Sequence, residues 1–414
     1  MLEQIEGSLG VAKAVALCRP GVVCAYPISP QTHIVENVGK FVKNGTLKDC
    51  DFLNVESEFS AISVAIGSEV GGARTYTATA SQGLLYMTEG VYSASGLGLP
   101  IVMTVASRAI GGPINIWNDH SDSLSQRDSG WLQLFCESNQ DAVDTHIMAF
   151  KIAEEVGLPV MVCMDGFVLT HAFERLDIPS QETVDKFLPE YQPREYLTPK
   201  EPVSIGAMVG PEAFTEVRFL QQRKMAKALK VIEKVTKEYR DLTGSKSGGL
   251  LDCYNCENVA LKLVIMGSTV GTAKDEIDRL KAEGINVGII SLKSFRPFPY
   301  EAMAKAIGDT KKVICLERAF SFGARGIVCP EVKRAMEGKN CDVKTVVAGL
   351  GGRPIFGTTI RGIVKDALAD KFTEEFTWFD VNADVLNSYT DKTEGVTFKN
   401  GPIAQSVLEN SVKD

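Results

Sequence analysis

Four short stretches gather the side chains that could do chemistry. YPISP (26–30) holds the Ser29 hydroxyl between Pro27 and Pro30, two residues that stiffen the turn beyond what a turn needs. VESE (55–58) brings Glu56 and Glu58 to the junction between an apolar run and a helical pattern. A carboxylate there can complement a helix N-terminus or serve as an acid–base group. TATASQG (77–83) sets small residues around Gln82, so a bound group could come close to the backbone; as an ordinary tight turn it needs no ligand. SRAIGGP (107–113) places Arg108 at the end of another apolar run, and NDHSD (118–122) follows with Asp119, His120 and Asp122. An arginine at such a position is ordinarily a surface charge.

Several common chemistries lack their motifs. The chain has no GxxxxGK[ST], no HExxH, no GxSxG, and no GxGxxG after its first apolar run. Its four histidines, His33, His120, His146 and His171, are scattered along the sequence. Cys253 and Cys256 form a CxxC with no second pair and no nearby histidine. That reads as an unliganded or redox-sensitive surface pair rather than half of a metal site. Gly349-Leu350-Gly351-Gly352 follows a further apolar run, and such a turn alone is more often a need of the fold than a phosphate loop.

These stretches must be positioned by the elements around them. Apolar runs at 22–26, 51–55, 75–78, 101–106 and 160–164 read as strands, with amphipathic helical patterns near 11–18, 31–43, 58–71, 83–95 and 139–156. Strand and helix alternating at this spacing imply a parallel sheet covered on both faces, with ligands at the carboxyl ends of the strands. YPISP, TASQG (79–83) and SRAIGGP each follow a strand directly, so one rim collects them. Residues 175–214 are proline-rich and read as an extended surface linker; a charged helix near 213–240 and a flexible joint, TGSKSGG (243–249), come next. A second unit starts near 259, with strands at 261–266, 287–291, 313–316 and 343–347 and a helix at 272–283, again in parallel order. The polar final stretch is expected to wrap around a neighbour.

The 414 residues suffice for two or three domains, and 44% hydrophobic with 23% charged residues is ordinary globular composition. A net charge of -8 argues against a nucleic-acid partner. MLEQIEGSLG lacks the basic start and apolar core of a signal peptide, and no apolar run reaches the ~18 residues of a membrane span. A cytoplasmic location is therefore expected, with most of the ten cysteines as free thiols.

Read together, YPISPQT, NVESEFSA, TYTATASQGLLYM, VASRAIGGPINIWNDHSDSLSQRDSGW, PVMVCMDGF, DIPSQETVDKFLP, SFRPFP and VAGLGG carry a resemblance in their order and spacing. The chain resembles the alpha subunit of the multi-subunit 2-oxoacid:ferredoxin oxidoreductases, most closely the pyruvate type, over nearly its whole length. The resemblance implies an α/β fold in four parts. These are a thiamine-diphosphate-binding, pyrimidine-type parallel-sheet domain (1–175), a linker with the charged helix (176–258), a transketolase C-terminal-like α/β domain (259–370), and a C-terminal extension in subunit contact (371–414). It implies an enzyme that cleaves a 2-oxoacid beside its carbonyl, with coenzyme A taking the acyl group. Electrons then pass through [4Fe-4S] clusters to ferredoxin or another acceptor. A beta subunit would hold the diphosphate and its magnesium, gamma and ferredoxin-like delta subunits would complete the complex, and a second copy of this chain is expected. The absence of a GDG…N motif and of a cluster-binding cysteine set fits half of an active site, with no metal ligands of its own.

Within the resemblance, Glu58 matches the position that hydrogen-bonds the aminopyrimidine ring nitrogen, where a carboxyl group can exchange a proton and an amide cannot. Arg108 matches the arginine that binds the substrate carboxylate through two parallel hydrogen bonds. Ser29 stands where the pyruvate enzymes usually carry threonine. Either hydroxyl can donate to the substrate oxygen, but serine leaves more room. A bulkier acid, such as phenylglyoxylate or a branched-chain 2-oxoacid, therefore stays open beside pyruvate, as does a non-oxidative thiamine-dependent decarboxylase or transferase subunit. Pro27, Ile28, Ser29 and Gln82 join Glu58 as the implied cofactor contacts. Glu56 keeps the helix-terminus role, and Asp119, His120 and Asp122 are expected at the pocket mouth or a subunit contact, with no catalytic part.

Overall fold

A computed structural model describes residues 2–384 of the chain. It opens with β1 (Leu2–Glu6) and α1 (Gly7–Leu17), a helix of small side chains that sinks into the core. β2 (Val22–Ala25) ends at the proline ledge, and α2 (Thr32–Lys43) begins just beyond, burying Ile34, Val35 and Val38 on one face. β3 (Asp51–Asn54) leads into α3 (Glu58–Val70), capped by the Ser57 hydroxyl, which accepts from the Ser60 N–H at 3.1 Å. β4 (Thr75–Thr79), α4 (Ser81–Tyr86), α5 (Thr88–Leu97) and β5 (Val102–Ser107) follow, so the single helix expected near 83–95 is two, joined at Met87. After a long loop come α6 (Ser121–Ser125), β6 (Leu132–Phe135), α7 (Asn139–Val156) and β7 (Val160–Asp165).

The stretch expected as an extended linker is regular at its start. β8 (Phe173–Asp177) pairs antiparallel with β1, and α8 (Gln181–Phe187) follows before an irregular run to 213. α9 (Phe214–Thr243) is the charged helix; its Ala228, Val231, Ile232 and Val235 share a core with α7. The joint expected to be flexible is tied down. Ser245 and Ser247 donate their hydroxyls to Asp144 at 2.7 Å each, the Gly248 N–H donates to Asp141 at 2.9 Å, and Arg240 donates to three of the segment's carbonyls. The glycines and serines that suggested mobility supply the donors and the tight backbone that this anchoring uses.

The rest of the chain runs β9 (Leu251–Tyr254), β10 (Leu261–Ile265), α10 (Thr269–Ala282), β11 (Val287–Leu292), β12 (Ser294–Arg296), α11 (Tyr300–Ile307), β13 (Lys312–Glu317), α12 (Val328–Ala335), β14 (Asp342–Val347), α13 (Gly357–Leu368) and β15 (Phe376–Trp378). Two large sheets result, ordered β12-β6-β7-β5-β4-β2-β3 and β15-β14-β13-β10-β11-β9. Both are parallel in their interiors, as the alternation of strand and helix requires. Each also carries an antiparallel edge, β12 on β6 and β9 on β11, where purely parallel sheets were expected. β12 follows β11 after Lys293 alone, so the chain steps from one sheet to the other in a single residue. β15 extends the second sheet, while residues from 385 onward lie outside the described residues.

Candidate active site

β7, β5, β4 and β2 are neighbours and parallel, so their carboxyl ends form one edge. The proline ledge lies there because Gln31 bolts it down. Its buried amide donates to the Ala78 carbonyl at 2.7 Å and to the Tyr26 carbonyl at 3.1 Å. Pro30 is buried against Gly166, just past β7; a Cβ at Gly166 would lie 2.5 Å from Pro30 Cγ. Pro27 and Ser29 are exposed on the ledge and Ile28 is half-buried.

Glu58 is the first residue of α3 and only 8% exposed. Its carboxylate lies over the first turn of α4, beside the end of β4. A Cβ at Gly83 would come within 2.6 Å of both Glu58 Oε1 and Thr79 Oγ1. The Thr79 hydroxyl is buried without a partner, and the Glu58 carboxylate makes no hydrogen bond among the described residues. Glu56, two residues away, is exposed and accepts from the Ser60 hydroxyl, which holds its carboxyl below the usual range.

Arg108 is fixed from three sides. Its backbone N–H donates to Asp122 Oδ2 at 2.9 Å, its Nη1 to the Ser29 carbonyl at 2.8 Å, and its Nε to the Asn115 carbonyl at 3.2 Å. The same Asp122 oxygen accepts from the Ser81 N–H at 2.9 Å, and Asp122 Oδ1 accepts from Ser123 N–H at 2.6 Å. Asp122 thus staples the end of β5 to the start of α4. Burial pushes its carboxyl up to about 7, against the pull of these three N–H donors. Ser81 has a φ of +50°, a left-handed conformation that this staple and the hydrogen bond from its hydroxyl to the Ala109 carbonyl hold in place. Gln82 lies against Gly111, where any Cβ would collide with its amide.

The structure therefore joins Ser29, Arg108, Gln82 and Glu58 in one run of contacts along the rim, through Asp122, Ser81 and Gly83. Nothing in the sequence marks Gln31 and Ser81 as site-forming, and Asp122 is expected only at the pocket mouth or a subunit contact; the long-range partners that place them, Ala78 for Gln31 and Arg108 and Ser81 for Asp122, lie 14 to 47 residues away. Asp119 and His120 face the second sheet. Asp119 accepts from the Gly351 N–H at 3.0 Å, and the His120 backbone N–H donates to the Arg318 carbonyl at 3.0 Å while its ring Nε2 donates back to Asp165, at the end of β7, at 2.8 Å. His33 and His171, far apart in sequence, meet beside Glu6: their ring centroids are 4.8 Å apart and His33 Nδ1 lies 2.7 Å from Glu6 Oε1. All ten cysteines are free, and Cys253 is exposed, its thiol brought down to about 7 by a hydrogen bond from Cys256.

Residues 13–237 match the family described as pyruvate flavodoxin/ferredoxin oxidoreductase, thiamine diphosphate-binding. The chain belongs to this family. Residues 260–360 match pyruvate:ferredoxin oxidoreductase core domain II. The chain is 46% identical over 365 residues to pyruvate synthase subunit PorA of Methanocaldococcus jannaschii, covering 87% of this chain and 93% of that one. Its identity to PorA of Methanosarcina barkeri is 44% over 367 residues, covering 87% and 91%. Ketoisovalerate oxidoreductase subunit VorA of Pyrococcus horikoshii is 38% identical over 382 residues, covering 91% and 97%. Among solved structures, 2-oxoglutarate:ferredoxin oxidoreductase from Magnetococcus marinus superposes with a TM-score of 0.66 at 20% identity, covering 89% of this chain and 65% of that chain. A split-gene transketolase follows at 0.53 and 14%, covering 89% and 99%. These two likenesses show the fold.

Proposed function

We propose that this chain is the alpha subunit of a thiamine-diphosphate-dependent oxidoreductase that decarboxylates a 2-oxoacid, with pyruvate as substrate, coenzyme A as acyl acceptor and ferredoxin as electron acceptor. The observation that carries the reading is Glu58: a buried carboxylate set against the bare backbone of Gly83 and beside the Thr79 hydroxyl, neither oxygen-bearing group having a hydrogen-bond partner among the described residues. That combination fits a flat heterocycle with a ring nitrogen. When bound, thiamine diphosphate supplies the carbon nucleophile and accommodates the charge left when carbon dioxide departs. Glu58 holds and shares a proton at the ring nitrogen, which its carboxyl oxygens can do and an amide cannot. Pro27, Ile28 and Gln82 frame the ring.

Arg108 has two of its five N–H groups committed to backbone carbonyls, so Nη2, together with the second N–H of Nη1, is what it can turn to a substrate carboxylate. The exposed Ser29 hydroxyl donates to the substrate oxygen. The proposed parts of the chain are a pyrimidine-binding domain (1–175), a linker (176–258), a transketolase C-terminal-like domain (259–370) and an extension in subunit contact (371–414). A beta subunit is assigned the diphosphate and magnesium, gamma and delta subunits the [4Fe-4S] clusters, and a second alpha copy completes the assembly. Support comes from relatives that are each named as one subunit. Exposed apolar side chains in the segments that form the rim, Tyr26, Phe59, Tyr86, Ile114 and Trp117, suit such a contact.

In the complex purified with its partners, Glu58→Gln should lower 2-oxoacid-dependent reduction of a low-potential dye by about a hundredfold or more, with thiamine diphosphate still bound. Full turnover would overturn the reading. A panel of pyruvate, branched-chain acids and phenylglyoxylate should give its highest kcat/KM with pyruvate; a maximum on a bulkier acid would move the assignment to the room left by Ser29.

A further inference from the structure

We infer that the glycine turn of the second sheet aims Arg108, with Asn115 as the positioning residue between them. This rests on the reading of Arg108 as the carboxylate-binding group. The turn follows β14 and has φ of +76°, +56° and +80° at Gly349, Gly351 and Gly352. Its backbone comes within hydrogen-bond distance of the loop that begins at Arg108. The Gly351 carbonyl accepts from Asn115 Nδ2 at 3.1 Å, and the Gly351 N–H donates to Asp119 Oδ2 at 3.0 Å. No side chain fits between them: a Cβ at Gly351 would lie 2.5 Å from Asn115 Nδ2, and one at Gly352 would collide with Trp117. The four-residue turn that ends VAGLGG, Gly349-Leu350-Gly351-Gly352, thus gains a use that a fold requirement alone does not describe.

Asn115 passes this hold to the site. Its Oδ1 accepts from the Trp117 N–H at 2.7 Å, which fixes the amide so that Nδ2 faces Gly351. Its own carbonyl then accepts from Arg108 Nε at 3.2 Å. Residues 109–120 contain no helix or strand; the ends of the loop, Ala109 and 118–120, are buried, but Ile114 in its middle is 79% exposed, so the stretch around Asn115 has little packing of its own to select one conformation. With Nε held by Asn115 and Nη1 by Ser29, the guanidinium plane is set and Nη2 points to one place. Release of Asn115 frees the plane to turn, which weakens binding of a charged carboxylate and leaves the cofactor pocket untouched.

The test uses the assembled complex. Asn115→Ala and Gly351→Ala should each raise KM for the 2-oxoacid about tenfold, on the scale of one misaligned charge-assisted hydrogen bond. Turnover number and thiamine diphosphate affinity should stay within about twofold. Inhibition by the methyl ester of the same acid, which carries no charge for Arg108 to bind, should not move. The double variant should be no worse than the more severe single one, because both remove one contact. An unchanged KM in Asn115→Ala overturns the inference. So does a parallel rise in acid KM and ester inhibition constant, which would report a generally damaged pocket. Arg108→Ala separates the two levels: if it too leaves KM unchanged, the reading of the site itself fails, whereas a raised KM there with none in Asn115→Ala sinks only the relay.

Discussion

Ser57 alone separates Glu56 from Glu58, and the start of a helix turns that spacing into opposite environments. Glu56 precedes the Ser57 cap and is solvated; Glu58 is swung inward by the first helical turn and buried. Asp122 shows a different use of a carboxylate, holding the Arg108 and Ser81 backbones with one oxygen. Its folded-state carboxyl is raised to about 7, above the usual value near ~4, so its contribution favours the fold most below that value and is lost as pH rises through about 7. Asp122→Asn keeps one acceptor but sets an amide N–H against the Ser123 N–H. It should cost about 1–3 kcal/mol in urea unfolding at pH 5. Between pH 5 and pH 8 the variant should lose less stability than the parent, since it has nothing to ionise there. Parallel losses in both proteins would show that Asp122 does not titrate in this range.

At the scale of elements, local signals and distant ones part company. The helical patterns expected from 58 and 139 begin there as α3 and α7, and the structure shows each capped by the serine ahead of it, Ser57 and Ser138. The rim residues were legible because each follows a strand in a parallel sheet, and Ser29, Gln82 and Arg108 lie there. β6 and β12 were not, since four and three residues carry too little pattern to reveal an antiparallel edge. Nor was the anchoring of the segment 243–249: its composition signals mobility, while the carboxylates that hold it, Asp141 and Asp144, lie about a hundred residues earlier. Asp144 accepts hydrogen bonds from the hydroxyls of Ser245, Ser247 and Tyr239. Asp144→Ala should therefore free the segment and raise amide exchange at 245–249 at least about tenfold, as local opening becomes easier. Exchange in β14, whose Val346 belongs to a separate apolar cluster in the second sheet, should be slower to respond. Uniform acceleration across the chain would mean the residue acts on global stability instead.

The two sheets are joined as one body rather than tethered. Val105, Met161 and Cys163 of the first share a continuous apolar core with Val264, Ile290 and Cys315 of the second, and the chain crosses between sheets at Lys293. Over that core lies a buried ionic joint. Asp165, at the end of β7, accepts from His120 at 2.8 Å, from Arg318 Nη1 at 2.8 Å and from the Ser268 N–H at 2.9 Å. Gly267 makes room for it, since a Cβ there would lie 2.8 Å from His120 Nε2. Burial alone raises the Asp165 carboxyl, but Arg318 and His120 more than offset this and hold it well below the usual carboxylate range. A depressed folded-state pKa contributes stability that is present above about 4 and lost as pH falls through the lower value. Asp165→Asn leaves Arg318 buried without its counter-charge, a loss of about 3–5 kcal/mol. Because the core is shared, the whole described fold should unfold in one calorimetric transition, moved to lower temperature as a unit by Asp165→Asn and less steeply dependent on pH below about 4 than the parent. Two separated transitions in the variant would instead show that this joint alone couples the sheets, with the apolar core between them too weak to keep them folding together.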